Sequence, residues 1–285
     1  MERIKQALEK ARAQAGSNTQ HVQPGPRRAA PATLQPAAPP LGDGGIDVNY
    51  TQTQVVTLDP VHLERQRIVA FSKTNPNNWA FDVLRTQILQ KMDEKGWRTL
   101  AITSPTAESG KTVIAINLAI SVAHHTQRTA MLVDFDLRRP RVGSYLGVRK
   151  TPSLNEVLAG TAPVAEALIN PDLPRLVVLP TNEPVQRAAE VLTSAPVASL
   201  VSDLRERYQD RTVIFDLPPM MAGDDVMAIL PRMDAVLMVV GNGNSTQREI
   251  EESMRHIPAG QLLGVVLNKA DAEVRRGYEY GYGNA

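Results

Sequence analysis

Residues 98–125, RTLAITSPTAESGKTVIAINLAISVAHH, decide the fold. A short apolar run ends in Ser104-Pro105, crosses a loop, and continues as an apolar stretch of helical length. Gly110-Lys111-Thr112 sits at the junction. A strand, a loop ending in Gly-Lys-Thr and a following helix are the setting of the Walker A phosphate loop, G-x-x-x-x-G-K-[ST]. Pro105 stands where the first glycine of that pattern is expected. The chemistry does not depend on that glycine. Backbone N–H groups at the start of the helix point at phosphate, and the helix dipole favours an anion there. Gly110 lets the backbone close in, Lys111 reaches the β- and γ-phosphates, and the Thr112 hydroxyl can ligate Mg²⁺. Ser109, Gly110, Lys111, Thr112 and Val113 form the expected nucleotide-binding set, with ATP and Mg²⁺ as cofactors. The competing reading is a chance Gly-Lys-Thr in a surface loop, and the flanking strand and helix argue against it.

Working outward, five more runs resemble RTLAITSP: RTAMLVDFD (128–136), RLVVLPT (175–181), RTVIFDLPP (211–219), DAVLMVVG (234–241) and LLGVVLNK (262–269). Each is short and continuously apolar, as expected for strands buried on both faces of a parallel sheet. Helical stretches separate most of them, as parallel crossovers require. Before the first comes NNWAFDVLRTQILQKMDEKG (77–96), an amphipathic helix with Phe81, Leu84, Ile88, Leu89 and Met92 on one side. The prediction is an α/β, three-layer P-loop NTPase domain with a mostly parallel central sheet, binding ligands at the C-terminal strand ends.

Carboxylates close several of these runs. Asp134 and Asp136 end the second in alternate positions on one face, where they would look toward the γ-phosphate and metal. The bland alternative is surface charge terminating a strand. Asp216 ends VIFD in the Walker B form and would hold Mg²⁺ through water. Asp224 and Asp225 follow; capping of the next helix is expected, with reach to the site as the alternative. Asn268 ends the last strand, near the base. The NKAD tetrapeptide (268–271) superficially matches the guanine-reading motif of GTPases, but the carboxylate pair is not a GTPase feature, so adenine is expected.

Composition bounds the rest. The 285 residues include 31 basic and 30 acidic side chains, a formal net charge of +1, which gives no reason to propose nucleic acid as a partner. There are no cysteines, which excludes disulfides and thiolate chemistry and fits a reducing, cytoplasmic compartment. No apolar run reaches the roughly 18 residues of a membrane span. Residues 1–16 read as a short helix, either a frayed tail or a docking element for a partner. Residues 17–49, rich in Pro and Ala, read as a disordered linker. Residues 50–75 form a transition, with TQVVTL strand-like and VHLERQRIVAF helix-like; the catalytic domain is expected over 50–274. Residues 275–285, RRGYEYGYGNA, form a glycine-spaced tail. With no core to bury their rings, Tyr278, Tyr280 and Tyr282 suit a phosphoacceptor role, against the alternative of a sticky end or rings stacked on a partner.

In combination, SPTAESGKT with NLAISVA, LVDFDLRRP, VIFDLPP, LGVVLNK and the terminal tyrosine cluster resemble the bacterial tyrosine kinases (BY-kinases) of capsule and exopolysaccharide biosynthesis, specifically the exosortase-associated type. The resemblance implies ATP-dependent autophosphorylation of the tail in trans, within a ring of subunits. It implies a separate membrane-embedded polysaccharide chain-length regulator as activator, recruiting a cytoplasmic protein to the inner face of the plasma membrane. It implies Asp134 as base for the tyrosine hydroxyl, Asp136 at the metal with Asp216, and Lys111 on phosphate. Three departures stand out. The loop reads Glu108-Ser109-Gly110-Lys111 rather than Gly-Glu-Gly-Lys. The oligomerisation motif E-x-x-R-x-x-R aligns with Trp79, Asp82 and Arg85, so only its last residue matches. The tyrosine cluster is short. Two alternatives to a kinase share the fold: a ParA/MinD-like ATPase switch, whose second loop lysine is replaced here by Thr106, and an ATP-binding scaffold without turnover.

Overall fold

A computed structural model describes residues 53–72, 74–125 and 127–270. The expected helix 1–16, linker 17–49 and tail 275–285, with Tyr278, Tyr280 and Tyr282, lie outside the described residues. The eight strands are β1 (Gln54–Val55), β2 (Thr99–Thr103), β3 (Thr129–Asp134), β4 (Ile169–Asn170), β5 (Leu176–Leu179), β6 (Arg211–Asp216), β7 (Ala235–Gly241) and β8 (Leu262–Asn268). They form one sheet in the order β1-β4-β5-β3-β6-β2-β7-β8. Every pairing is parallel except β4 with β5. The six apolar runs are all strands; β4 joins them unannounced.

Two apolar cores lie on the two faces of the sheet. One takes in α1 (Pro60–Arg65), α2 (Asn78–Lys95), α3 (Lys111–His124) and α4 (Val142–Leu146). The other takes in α5 (Leu154–Leu158), α6 (Val164–Ala167), α7 (Ala188–Thr193), α8 (Ala195–Glu206), α9 (Asp225–Ile229) and α10 (Gln247–Arg255). This is the expected three-layer α/β arrangement. Strands β2, β3 and β7 are buried along their whole length, as parallel strands covered on both faces must be. β8 differs from expectation. It is an edge strand, and Val265 and Leu267 are 50% and 54% exposed; an apolar run here reflects one covered face, not two.

α3 is apolar all round because it is covered all round: every side chain from Ile114 to Ala123 is buried. Its one amide, Asn117, is fully satisfied. The Asn117 Oδ1 accepts from the Val69 and Ala70 amides, both at 2.8 Å, and its Nδ2 donates to the carbonyls of Arg67 (3.0 Å) and Val113 (2.8 Å). This bond set explains why the helix read over VHLERQRIVAF stops at Arg65. The Arg67 and Ile68 amides still reach back to Glu64 and Leu63, but the Arg67 carbonyl and the Val69 and Ala70 amides take their partner from α3 rather than from a helical ladder. The strand-like TQVVTL shortens likewise to the two residues of β1.

Candidate active site

Register assembles the site. Three central strands lie side by side in the order β3, β6, β2. Asp134 at the end of β3 is the register partner of Asp216 at the end of β6, and Asp216 is that of Ile102 in β2. The phosphate loop leaves β2 at this same edge, so Lys111 and Thr112 open α3 directly above the two carboxylates. Phe135 fixes the exit from β3. Its neighbours alternate to the other side, and its ring packs on Phe215 at 5.1 Å between centroids within the core under α5–α10. Asp136 therefore stands two residues beyond the strand, not on its face as expected, yet on the same side as Asp134.

The four groups converge. Lys111 Nζ lies 2.8 Å from Asp136 Oδ2 and 3.6 Å from Asp216 Oδ1. The Thr112 hydroxyl donates to Asp216 Oδ2 at 2.6 Å. All are buried, Asp134 and Asp216 completely. Burial disfavours the Lys111 ammonium, but the charges of Asp216 and Asp136 outweigh it and raise the pKa. Burial raises Asp134 well above the usual carboxylate range, helped by the charge of Asp216 and opposed by the Val142 amide. Asp216 is also raised, by burial, against the pull of Lys111 and Thr112.

The donor set fits a small hard cation. Asp216 Oδ1 is buried with no hydrogen-bond partner, and Lys111 is 3.6 Å away. Among the described residues no three His, Asp or Glu side chains form a cage of their own. Mg²⁺ needs none; one or two carboxylates with phosphate oxygens and water suffice.

The phosphate loop is held by neutral dipoles. The Ser104 and Ser109 hydroxyls both donate to the Thr106 carbonyl, at 2.7 and 3.0 Å. The Thr106 hydroxyl bonds the Ser245 hydroxyl at 2.6 Å, and Asn244 Nδ2 donates to the Ala107 carbonyl at 3.3 Å. Asn268 Nδ2 donates to the Ser109 carbonyl at 2.9 Å. Gly110 turns the chain into α3 at φ 87°, and a Cβ there would stand 2.2 Å from Asn268 Nδ2. Glu108 also takes a positive φ, 62°. Thr106, in the place of the ParA-type lysine, is thus tied to its own chain.

The loop 135–142 is held by carboxylates instead. Asp134 Oδ2 accepts from the Arg141 and Val142 amides at 3.0 and 2.9 Å, at the start of α4. Asp136 Oδ1 accepts from the Arg139 amide at 3.1 Å. Arg138 forks onto Asp225 through Nε and Nη2 and lies 3.7 Å from Asp224. This overturns the capping expectation: neither Asp224 nor Asp225 caps α9 through its side chain, because the buried Asp225 is the partner of Arg138. Gly223 makes room, since a Cβ there would stand 3.0 Å from Arg138 Nη2.

Sequence reasoning missed Arg138, Asn244, Ser245 and Asn117. Only Asn117 left a signal, a lone amide in an otherwise apolar helix. Arg85, matched to the oligomerisation motif, is turned inward, donating to Asp82 Oδ1 at 2.8 Å and to the Ser121 carbonyl at 3.1 Å. Trp79 on the same helix is 59% exposed.

A central parallel sheet, a Gly-Lys-Thr loop at a helix start and facing carboxylates define a P-loop NTPase. No protein-family model matches the chain. The relative CpsD, a tyrosine-protein kinase of Streptococcus pneumoniae serotype 4, is 30% identical over 63% of this chain and 79% of its own length. EpsB of Ralstonia nicotianae is 29% identical over 87% of this chain but only 32% of its own length, so the chain spans about a third of that longer relative. The chimerical protein CapA2B2 superposes with a TM-score of 0.66 at 26% identity, covering 76% of this chain and 93% of that structure. The chain belongs to the bacterial tyrosine kinase family of capsule and exopolysaccharide biosynthesis.

Proposed function

We propose that the chain is an ATP-dependent protein-tyrosine autokinase that phosphorylates Tyr278, Tyr280 and Tyr282 of a second copy. In this reading it regulates exopolysaccharide polymerisation and export. The observation that supports it best is the convergence of Lys111, Thr112, Asp136 and Asp216 beside a third buried carboxylate, Asp134. An ATPase switch could use the same carboxylates on water; Thr106 in place of the ParA-type lysine and the three tail tyrosines favour a phenolic acceptor.

The amides from Gly110 onward and the Lys111 ammonium bind the nucleotide phosphates. Ser109 and Val113 shape the loop around them, and Asn268 braces it beneath the base. Thr112, Asp136 and Asp216 would hold Mg²⁺, which when bound neutralises phosphate charge. In the transfer, the tyrosine oxygen forms a bond to the γ-phosphorus as the bond to the β-phosphate bridging oxygen breaks, releasing ADP. Asp134 takes the phenolic proton; its raised pKa suits a base better than an ordinary aspartate. Positioning and charge neutralisation carry most of such a reaction.

No described helix is long and apolar enough to cross a membrane. We place the protein in the cytoplasm, brought to the inner membrane face by a membrane-embedded chain-length regulator that also activates it. The test is incubation of the full chain with Mg-ATP and the cytoplasmic segment of that regulator, followed by phosphosite mapping. Phosphate on the three tail tyrosines that vanishes in Lys111→Met is the expected result. Hydrolysis without phosphotyrosine would leave an ATPase switch, and no turnover a scaffold.

A further inference from the structure

Three arginines follow the site carboxylates: Arg138, Arg139 and Arg141. Their backbone is pinned from within. Asp136 holds the Arg139 amide and Asp134 the Arg141 amide. Arg138 is bound to Asp225, so its guanidinium is part of the scaffold. Arg139 and Arg141 are exposed, and neither makes an ion pair among the described residues. Most surface arginines sit on mobile side chains anchored to nothing in particular. These two leave a backbone bonded directly to Asp136 and Asp134, the carboxylates proposed for the metal and for the acceptor proton.

Guanidinium is the side chain best matched to a phosphate monoester, through forked, charge-assisted hydrogen bonds. Two sources of such a group come near this site. The nucleotide has its cradle at the start of α3, where backbone amides and Lys111 serve it. In-line transfer puts the acceptor on the opposite side from the leaving group, and the loop 135–142 is bonded to Asp134, the proposed acceptor base, and to Asp136, which meets Lys111. The acceptor segment is Tyr278-Glu279-Tyr280-Gly281-Tyr282. In an extended strand, residues two apart lie about 6.6 Å from each other on one face, and Arg139 and Arg141 are themselves two residues apart. A segment laid along this loop with one tyrosine at the site would bring the tyrosine two residues away within reach of the arginines. Once phosphorylated, that neighbour carries a charge of about −2 and three acceptor oxygens.

We infer that Arg139 and Arg141 bind a phosphotyrosine already formed on the acceptor segment, so that each transfer favours the next on the same tail. The inference rests on the kinase reading above. It makes the first phosphate slow and the later ones fast, and partly phosphorylated tails scarce.

The test uses the full chain with a non-hydrolysable ATP analogue and Mg²⁺, and two synthetic peptides spanning residues 275–285. One is unmodified; the other carries phosphate on Tyr278. The phosphopeptide is expected to bind about tenfold tighter, with the difference shrinking at about 0.5 M salt. R139A/R141A should bring the affinity ratio to about one. R139K/R141K, which keeps the charge but not the fork, should retain part of it. Equal affinities for the two peptides in the unmutated chain would overturn the inference. So would a loss of ATP-analogue affinity in R139A/R141A matching the loss for phosphopeptide, which would assign the arginines to the nucleotide. A second arm with Mg-ATP compares kcat/KM for transfer to Tyr280 and Tyr282 in the two peptides, expected to favour the phosphopeptide. If no peptide is phosphorylated, the kinase reading fails, while the binding arm still decides the role of the arginines.

Discussion

The loop after β2 and the loop after β3 face each other across Lys111, and both must be rigid, yet they are stiffened by opposite means. The first, 105–110, is braced by hydroxyls and amides: Ser104, Ser109, Thr106 with Ser245, Asn244 and Asn268. The second, 135–142, is braced by carboxylates: Asp134, Asp136 and Asp225. In the proposed kinase reading, the difference follows from what each loop would meet. A loop that wraps phosphate cannot be propped by carboxylates without repelling its ligand, so neutral dipoles do the bracing. A loop that meets a cation and a phenolic proton can use carboxylates for support and chemistry at once. The consequence is unequal tolerance, because the second loop loses structure and reactivity together.

The largest break in this comparison is Lys111→Met, which removes the cation between the loops. Phosphotransfer should fall by about a thousandfold or more. The buried carboxylates left uncompensated should cost about 3 kcal/mol of stability in the apo chain, read by denaturant unfolding. Next comes Asp134→Asn. Transfer should drop by about a hundredfold or more while affinity for an ATP analogue changes little, measured by calorimetry. Collapse of nucleotide affinity would mean that Asp134 belongs to the first loop's work as much as the second's.

The same variant carries a pH signature. The folded pKa of Asp134 lies above its unfolded value. Its contribution to stability is therefore complete below the ordinary aspartate range and is lost as pH rises through the raised value. Without nucleotide, the chain should lose stability over that rise, and Asp134→Asn should flatten the loss. Asp216, also raised, keeps part of the slope. Thermal melts across the acidic to neutral range check both.

Arg138→Ala tests the second loop's outer brace. It strips a buried carboxylate of its fork and should cost about 2 kcal/mol. The swap Arg138→Asp with Asp225→Arg should recover part of that, which loss of packing alone would not allow. The smallest effect is expected for Ser245→Ala, which removes one hydroxyl partner from Thr106 and should cost about 1 kcal/mol or less, with nucleotide affinity weakened only a few-fold.

Most of the frame was legible because burial on both faces leaves a local mark. Runs such as AMLVDFD and TVIFD show strand and terminal carboxylate together. β4 was not legible, since two residues carry no periodicity. β8 was misread because its apolar alternate positions, Val265 and Leu267, look the same in sequence whether covered or exposed. Within the site, the Gly110-Lys111-Thr112 core, Asp134 and Asp216 could be named because each ends or begins an element, and Asp136 because it follows Asp134 at a spacing of two. Their braces could not. Thr106 and Ser245 are far apart in the chain, as are Arg138 and Asp225, and such a pairing has no signature until the sheet brings the loops together. Asp225 shows the cost of local reasoning: beside a helix start it reads as a cap, and only Arg138 reveals otherwise.

Asn117 has a consequence for how the protein can be watched. The amides of Val69 and Ala70 belong to no helix or strand ladder, yet both hang from one side chain of α3. In hydrogen–deuterium exchange they should behave as core amides, opening only when α3 itself loosens. They are then two clocks, set in an irregular stretch of chain, that keep the time of the phosphate-loop helix. Asn117→Ala would release both and leave the strand amides of β2 unchanged.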